Sequence, residues 1–313
     1  MSHADKIFKN MCNGILDKAF DINNFIPVRP HWEDGKQASV IKTFGICNTY
    51  DLRKEFPAIT IRKTAIKSAS DEVLWIYQKK SNNVNDLNSH VWDQWADENG
   101  SIGKAYGYQI GQTFICNNMN IKSKSLNEMD ELMKDYEEYP SVLMDINTGD
   151  IMMDQIDYVL YTLKHDPFSR RIMTTSWNVQ DLHEMNLQPC AYSCTFNVTK
   201  EDGELVLNMI LNQRSSDILV ANNWNVVQYS ILLMMIAQVS NMIPGKLMHV
   251  IADAHIYDKH VSIVRELVQR QEHPAPIVTL NPEIRNFYDF KTSDIRIEHY
   301  ETEPQVKNIP VAI

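Results

Sequence analysis

Cys190 is the residue of this sequence best placed to act as a nucleophile. It follows Pro189 and opens a predicted strand, so its sulfur could face a cavity at a sheet edge. Cys194 lies four residues further along the same strand without comparable neighbours, and we assign it to the core. Because a free thiol is mostly protonated at neutral pH, a catalytic Cys190 needs cations or hydrogen-bond donors close by.

Two arginine-containing segments could supply positive charge near such a thiol. Arg214 follows a predicted strand in the run Gln213 to Asp217, and Arg170 and Arg171 follow a predicted helix that ends near Asp166. The planar guanidinium group donates two parallel hydrogen bonds, which suits a phosphate group. Surface salt bridges are the alternative explanation for both segments.

Other polar side chains stand at the start of a predicted apolar helix and after a short strand. Asn225 lies beside Asn222 and Asn223, and asparagine commonly caps a helix. An amide that faces a pocket, however, offers both an acceptor and donors. His255 and His260 are five residues apart and would lie on different faces of a helix, so we predict no metal site there.

The composition is typical of a folded soluble protein, with 44% apolar and 22% charged residues in a chain of 313. The formal net charge of -10 disfavours a general nucleic-acid surface, so an anionic substrate must be held by locally gathered arginines. Five cysteines without a C-x-x-C pair favour a reducing, cytoplasmic location over a disulfide framework or a zinc ribbon. No signal peptide is predicted, and the longest apolar run, 231–239, is too short to span a bilayer.

The hydrophobic periodicity predicts helices and strands that do not alternate strictly. Helical spacing marks 66–79 and 156–163, and strand alternation marks 205–212. The segment 191–198 is the predicted hairpin partner of that strand, and Asp202-Gly203 signals the turn between them. This mixture favours an α+β fold over a doubly wound sheet.

The remaining elements are a long helix, a short strand and an insertion. The apolar helix should span Asn225 to Met242, with a short strand near Leu247 to Ile251 and a further helix from about His255. The segment 111–150 is rich in Asn, Lys, Glu and Met and lacks sustained periodicity, so we interpret it as a surface insertion with one helix near Leu126 to Glu138.

No repeat and no linker composition divides the chain, which predicts a single catalytic domain over residues 1–313.

Short motifs, taken in their order along the chain, resemble those of the thymidylate synthase family. The resemblance runs from about Val40 to Ile313, apart from 111–150, and the ordered set is far more specific than any one motif. The matching motifs are Asp71-Glu72-Val73-Leu74-Trp75, His90-Val91-Trp92-Asp93-Gln94-Trp95, Tyr106-Gly107-Tyr108-Gln109, Ser169-Arg170-Arg171, Gln188-Pro189-Cys190, Gln213-Arg214-Ser215-Ser216-Asp217, Asn225, Asp253-Ala254-His255-Ile256-Tyr257 and Pro310-Val311-Ala312-Ile313.

The resemblance implies a methyltransferase that converts dUMP to dTMP. Cys190 would attack carbon 6 of dUMP, and carbon 5 would then take a one-carbon unit from methylenetetrahydrofolate. The same folate would supply hydride, which makes it a cosubstrate; no metal is implied. The implied fold is a large mixed sheet flanked by helices, with sheets packing back to back across a homodimer.

The resemblance also assigns residues to the nucleotide. Those implied in dUMP binding are Arg29, Arg170, Arg171, Gln213, Arg214, Ser215, Ser216, Asp217, Asn225, His255 and Tyr257. Arg170 and Arg171 would reach in from a second subunit. Asn225 would read the uracil edge, because its amide matches N3–H and O4. His255 and Tyr257 would hold the deoxyribose hydroxyl.

Catalytic and folate-binding residues follow from the same matching. The implied catalytic residues are Cys190, Glu72, Tyr106, Asn225 and Arg214. Glu72 would organise the water that transfers protons, and Tyr106 would lie near the nucleophile. The folate would contact Trp92, Asp217 and Ala312, the last within a C-terminal segment that folds over the loaded site and excludes water. The arginines around the phosphate would also favour ionisation of Cys190.

Three positions depart from the family pattern. Ala191 stands where many relatives carry histidine after the nucleophile. The run Val220 to Asn225 replaces the usual Leu-Gly-x-Pro-Phe-Asn but keeps its final asparagine. Arg29 is matched only with a gap, and the glycine and threonine run typical of relatives is missing there.

Two other functions stay open on the sequence. A hydroxymethylase would form the same adduct and let water trap the intermediate; Asn225 disfavours dCMP as its substrate but does not exclude dUMP. Trp92 and the Pro-Val-Ala-Ile terminus favour methylation instead. A catalytically silent, RNA-binding relative is disfavoured by the retained site residues and by the acidic net charge.

Overall fold

The structure is a computed structural model of the chain, and it describes residues 1–118 and 126–313. Its α-helices are α1 His3–Leu16, α2 Ile66–Tyr77, α3 Gly107–Ile110, α4 Leu126–Met133, α5 Gln155–His165, α6 Asn222–Val239 and α7 Val261–Leu267. Its β-strands are β1 Ile26–His31, β2 Gln37–Asp51, β3 Phe114–Asn118, β4 Leu143–Met144, β5 Asp150–Met153, β6 Met173–Thr175, β7 Ala191–Glu201, β8 Glu204–Asp217, β9 Ile243–Tyr257, β10 Ile277–Leu280 and β11 Ile295–Glu298.

A six-stranded mixed sheet lies at the centre of the fold, in the order β1-β2-β9-β8-β7-β6. Neighbouring strands are antiparallel except β8 and β9, which run parallel and are joined by α6. Because the two strands are parallel, their carboxyl ends meet at one edge, where Asp217 pairs with His255. That edge brings together side chains that are distant in sequence.

The predicted hairpin between β7 and β8 is confirmed. Glu201 pairs with Glu204, which leaves a two-residue turn at Asp202 and Gly203. Both turn residues have positive φ, +50° and +91°, as a type I′ turn requires, and aspartate followed by glycine tolerates that geometry best. Local turn chemistry therefore sets the register of this hairpin.

The long apolar helix is confirmed as α6, although it begins at Asn222 and ends at Val239. It packs between the sheet and α2, which explains why apolar residues surround it rather than occupying one stripe. The predicted helices at 66–79 and 156–163 are confirmed as α2 and α5. Within residues 1–118 and 126–313, no helix is long and apolar enough to cross a membrane, α6 included.

The predicted helix from about His255 is wrong. This segment continues the strand β9, which runs for 15 residues instead of the few expected, and the next helix begins only at Val261. β9 pairs with β2 on one side and with β8 on the other. Backbone pairing on both edges stabilises the extended conformation and overrides local preference.

The insertion contains more structure than its sequence indicated. The helix predicted near Leu126 to Glu138 is present as α4, but a small antiparallel sheet in the order β3-β5-β4 was not predicted. Tyr136, Ile151 and Met153 form a small core of its own, and the sheet extends past residue 150. The part of the insertion at 119–125 lies outside the described residues.

Candidate active site

Cys190 lies immediately before β7, next to a register shift between β7 and β8. Its backbone N–H donates to the hydroxyl oxygen of Tyr106 at 3.0 Å, and its carbonyl accepts from the backbone N–H of Arg214 at 2.9 Å. These two contacts hold the residue from both sides. The residue as a whole is half-buried, whereas Cys194 is fully buried.

Tyr106 reaches Cys190 from a strained backbone position. Its φ is +44°, in the left-handed region that costs a residue with a side chain about 1–2 kcal/mol. The next residue is Gly107, where an added Cβ would lie 2.1 Å from the Ser81 carbonyl oxygen. The Tyr106 ring packs edge-to-face on Trp92 at 5.0 Å between centroids. This packing holds the strained residue beside the nucleophile.

Arg214 is the cation in contact with the Cys190 thiol. Its Nη2 lies 3.6 Å from Sγ of Cys190, and the guanidinium also donates to the carbonyls of Pro189 and Gln188. Burial raises the pKa of the Cys190 thiol, and the charge of Arg214 opposes that rise without cancelling it. One arginine alone therefore leaves the thiol mostly protonated at neutral pH.

The neighbouring ends of β8 and β9 bring three of the expected nucleotide-binding residues together: Ser216, Asp217 and His255. Ser216 pairs with Ala254 and Asp217 with His255 across the parallel strands. His255 Nδ1 lies 2.9 Å from a carboxylate oxygen of Asp253, which orients its ring. Burial, followed by the neighbouring Asp217 and Cys190, raises the pKa of Tyr257 to about 12, so it is a neutral hydroxyl donor beside the thiol.

Asp217 links the sheet edge to the C-terminal segment. One of its oxygens accepts from the backbone N–H groups of Leu219 and Val220, and the other lies 3.6 Å from Nδ1 of His260. Nε2 of His260 is 2.7 Å from the carbonyl oxygen of Pro310. One histidine thus bridges the carboxylate expected to bind the pterin and the chain terminus.

The C-terminal segment already lies against the sheet. Ile313 and His31 exchange two backbone hydrogen bonds, of 2.8 and 2.9 Å, which adds the last residue to the end of β1. Ala312, expected to contact the folate, is half-buried in this arrangement.

Glu72 is a buried carboxyl group on α2. One of its oxygens accepts from the indole N–H of Trp224 at 2.7 Å. Burial raises the pKa of Glu72, while the side chains of Gln228, Trp224 and Trp92 oppose that rise. Burial favours the protonated form and the surrounding polar side chains favour the ionised form, which suits a group that both gives up and accepts a proton.

Asn225 lies in the first turn of α6 with its amide engaged on both sides. Its Oδ1 accepts from Nε2 of Gln213 at 3.1 Å, and its Nδ2 donates to Oε1 of Gln228 at 3.0 Å. Asn222 and Asn223 do not cap the helix; the N-cap is Ala221 and no side chain caps it. Both are buried and carry amide atoms without a partner in the described part of the chain.

The other three expected phosphate ligands form no contact with Cys190 among the described residues. Arg29, Arg170 and Arg171 are exposed, and none forms a hydrogen bond or ion pair within residues 1–118 and 126–313. Arg171 lines an open groove of about 670 Å³ together with Trp177 and Met173. Of the four arginines, only Arg214 contacts the Cys190 thiol within the described part of the chain.

Cys194 behaves as expected of a core residue. It is fully buried in β7, with its sulfur 3.6 Å from the Tyr77 hydroxyl, and burial raises its pKa to about 12. It therefore stays protonated and unreactive where Cys190 is accessible.

Four residues of the site were not expected from sequence: Trp224, Gln228, His249 and His260. Gln228 is a polar residue three positions after Asn225 in a mostly apolar helix, and this spacing was a usable signal. The contact of Trp224 with Glu72 joins helices about 150 residues apart and has no local signature.

No group of three His, Cys, Asp or Glu side chains in the described residues could hold a metal ion.

The chain matches known proteins over almost its whole length. The family model that matches is described as thymidylate synthase and covers residues 6–313. Thymidylate synthase of Bacillus subtilis subsp. natto is 37% identical over 310 residues, covering 96% of each chain, and that of Bacillus phage phi3T is 36% identical with the same coverage. Among solved structures, thermostable thymidylate synthase A from Bacillus subtilis superposes with a TM-score of 0.79 at 34% identity, covering 98% of this chain and 99% of that one. The predicted α+β fold with a large mixed sheet is confirmed.

Proposed function

The chain belongs to the thymidylate synthase family, and we propose that Cys190 is the nucleophile through which it acts. It is a methyltransferase that converts dUMP to dTMP with methylenetetrahydrofolate as cosubstrate. The comparisons favour methylation and give no support to the hydroxymethylase or the RNA-binding alternative. The observation that carries the assignment is the half-buried thiol beside Arg214 and the Tyr106 hydroxyl.

The reaction proceeds through a covalent adduct of Cys190. The thiolate adds to carbon 6 of dUMP, which makes carbon 5 nucleophilic enough to take the methylene group from the folate. Loss of the carbon 5 proton and departure of tetrahydrofolate leave an exocyclic methylene group. Hydride from that tetrahydrofolate reduces it, the thiolate leaves carbon 6, and the products are dTMP and dihydrofolate.

Activation of Cys190 is coupled to assembly of the phosphate site. In the single chain, burial raises the pKa of the thiol and only Arg214 opposes it. Arg170 and Arg171 are exposed and unpaired among the described residues, which suits binding of the phosphate in a second subunit. Arg29, on β1, is a further candidate ligand of the phosphate. Gathering these cations around the phosphate lowers the cost of ionising the thiol, since each favours the charged form.

The nucleotide is held along the ends of β8 and β9. Arg214 and Ser215 bind the phosphate, with Gln213 and Ser216 supporting the same strand end. His255, oriented by Asp253, and Tyr257, a neutral donor, hold the deoxyribose hydroxyl. Asn225 reads the uracil edge from the start of α6.

The folate stacks beside the nucleotide, between Trp92, Asp217 and the C-terminal segment with Ala312. Glu72 organises the water that exchanges protons with the base, because it is buried and oriented by the indole N–H of Trp224. Closure of the C-terminal segment excludes solvent from the reactive methylene group, and its contacts to His31 and His260 supply the attachment points.

The enzyme is a homodimer whose sheets pack back to back. One row of side chains crosses five strands on the face opposite α6, and strand register places Met173, Thr195, Ile210, Met248 and Thr49 in it. Met173 and Ile210 are 46% and 38% exposed, and Phe44 on β2 is 90% exposed. Apolar exposure on a sheet face suits burial against a second copy.

The single-domain organisation over 1–313 and the cytoplasmic location complete the proposal. One core cluster runs from α1 to β11, which suits a single domain. All five cysteines are free, which suits a reducing compartment.

The nucleophile is tested with purified protein, dUMP and methylenetetrahydrofolate. Absorbance should rise as dihydrofolate forms, and the product mass should be that of dTMP. Cys190→Ser should abolish turnover, and 5-fluoro-dUMP with the folate should form a covalent adduct on Cys190, since fluorine blocks the proton loss needed for release. An adduct on another cysteine, or turnover by Cys190→Ser, would exclude this nucleophile.

The shared site is tested by mixing inactive chains. Cys190→Ser and the double variant Arg170→Ala with Arg171→Ala should each be inactive alone. After unfolding and refolding together, mixed dimers should regain activity, because one of the two sites then has an intact thiol and intact arginines. No recovery despite dimer formation would place the arginines and the thiol in the same chain.

A further inference from the structure

A chain of hydrogen-bonded side chains runs from the buried His249 through Gln213 and Asn225 to Gln228. His249 Nε2 lies 2.6 Å from Oε1 of Gln213, whose Nε2 donates to Oδ1 of Asn225 at 3.1 Å. Asn225 Nδ2 in turn donates to Oε1 of Gln228 at 3.0 Å. His249, Gln213 and Gln228 are 0%, 2% and 2% exposed, so water does not compete for these bonds.

A backbone carbonyl fixes the direction of this chain. The same Nε2 of Gln213 donates to the carbonyl oxygen of Ser215 at 2.9 Å, and a carbonyl can only accept. The atom of Gln213 that faces both Ser215 and Asn225 must therefore be nitrogen. It follows that the Oδ1 atom of Asn225 faces Gln213 and its Nδ2 atom faces Gln228. Gln228 must therefore accept this hydrogen bond through its amide oxygen.

His249 anchors the inner end of the chain. Because Gln213 offers it an oxygen, His249 must carry its proton on Nε2. Burial lowers the pKa of His249 to about 3, so the ring is neutral and holds this single proton at neutral pH. Turning the Gln213 amide over would then oppose both the Ser215 carbonyl and the His249 N–H.

Gln228 anchors the outer end. It lies one turn after Asn225 on α6 and is buried where the helix is otherwise apolar. Its Oε1 accepts from Asn225, and its Nε2 forms no hydrogen bond within the described residues. Its amide nevertheless favours the ionised form of Glu72, so a turned amide would bring its oxygen towards that carboxylate and lose the bond to Asn225.

The engaged amide of Asn225 has one lone pair and one N–H left. The lone pair matches the N3–H donor of uracil and the N–H matches its O4 acceptor, whereas cytosine offers an acceptor at N3 and a donor at N4. We propose that His249 and Gln228 determine base specificity by fixing the direction of the Asn225 amide, so that a cytosine nucleotide is rejected. This rests on the proposed reading of the base by Asn225.

The cost of accepting cytosine follows from the flipped amide. A flip of Asn225 would set nitrogen against nitrogen at Gln213 and oxygen against oxygen at Gln228. Each unpaired buried group weakens binding by about tenfold, so the two contacts of Asn225 with Gln213 and Gln228 together should contribute about a hundredfold to the preference for dUMP over dCMP.

The test is equilibrium binding of dUMP and dCMP to the intact enzyme, expressed as the ratio of the two dissociation constants. Gln228→Met removes the amide at nearly constant volume and should lower the preference for dUMP by about tenfold. His249→Met should lower it by a smaller factor, because the Ser215 carbonyl still holds Gln213. His249→Gln, which keeps an N–H donor, should restore it.

Controls separate this inference from a general structural effect and from the proposed function. Gln238→Met makes the same change on the same helix, where the amide donates to Asn281 and Ile284, and should leave the ratio unchanged. Equal weakening of both nucleotides by Gln228→Met and His249→Met would overturn the inference. If Asn225→Ala also leaves the ratio unchanged, base reading by Asn225 is itself wrong; if only Asn225→Ala lowers it, the proposed function stands and the anchors do not act.

Discussion

Replacing Trp224 by phenylalanine removes one hydrogen-bond donor from the Glu72 carboxylate while keeping an aromatic ring in its place. The indole N–H lies 2.7 Å from the carboxylate oxygen, at the length of a strong charge-assisted bond. Glu72 is buried, so water does not replace the lost donor without cost. The variant therefore isolates one of the three contacts that oppose the effect of burial on this carboxyl group.

The expected magnitude follows from the energy of such a bond. A hydrogen bond to a charged group contributes about 1.5–3 kcal/mol, and one pKa unit corresponds to about 1.36 kcal/mol. Burial already raises the pKa of Glu72, and loss of the indole donor should raise it further, by about one to two pH units. If the ionised carboxylate accepts the proton, the acidic limb of kcat/KM should move to higher pH by about the same amount.

The free energy of unfolding provides a second measure with a definite sign. Because the folded pKa of Glu72 lies above its unfolded value, its contribution is present at low pH and is lost as pH rises through the folded pKa. A further rise of that pKa makes the loss at high pH larger. Trp224→Phe should thus destabilise the protein more at about pH 9 than at about pH 5 in urea unfolding.

Trp75→Phe is the matched control. Trp75 is fully buried on the same helix as Glu72, and its indole N–H donates to the carbonyl of Asn83 at 2.9 Å. This variant loses a comparable hydrogen bond and a comparable ring volume but no contact with the carboxylate. It should lower stability without moving the acidic limb. An unmoved limb in Trp224→Phe, or an equal shift in both variants, would refute the reasoning.

Three further outcomes are expected. Cys194→Ala should keep turnover and lower the free energy of unfolding by about 1–2 kcal/mol in urea, because it opens a small cavity beside Tyr77. Tyr106→Phe should lower kcat by about tenfold, because the backbone N–H of Cys190 loses its acceptor; steady-state assays would show it. Burial lowers the pKa of His260, but Asp217 and the Pro310 carbonyl outweigh it and raise the pKa, so attachment of the C-terminal segment should weaken as pH rises through that raised value. Carboxypeptidase should then release Ile313 faster at about pH 9 than at about pH 6, and a rate that is the same at both would count against the contact.

Elements with strong local signals were predictable from the sequence. The turn at Asp202 and Gly203 needs two positive φ angles, and aspartate followed by glycine is a pair that adopts them readily. The apolar helix was recognisable because it is buried on all sides, although its start was placed three residues late. The extended form of β9 after Ile251 was not predicted, because it depends on pairing with β2 and β8, which lie about 210 and 40 residues earlier in the chain. The sheet of the insertion was missed for the same reason, since its short strands are stable only together.

The candidate site divides along the same line. Residue types and their order were enough to single out Cys190, Arg214 and Asn225, because the chemistry of a thiol, a guanidinium or an amide group follows from the residue type alone. The sequence did not predict how much each arginine contributes to the site, since only Arg214 contacts the thiol within the described part of the chain.

The sequence by itself indicated the family, a candidate nucleophile and the kinds of group available to bind a nucleotide, because covalent chemistry and local turn geometry depend on residue type and spacing. The tertiary structure decided which groups meet and in which direction. It brings the indole N–H of Trp224 to Glu72, and the hydrogen bonds with Gln213 and Gln228 set the orientation of the Asn225 amide. Burial with Arg214 as the one neighbouring cation among the described residues keeps the Cys190 thiol protonated. These properties depend on distance and burial, and no stretch of sequence contains either.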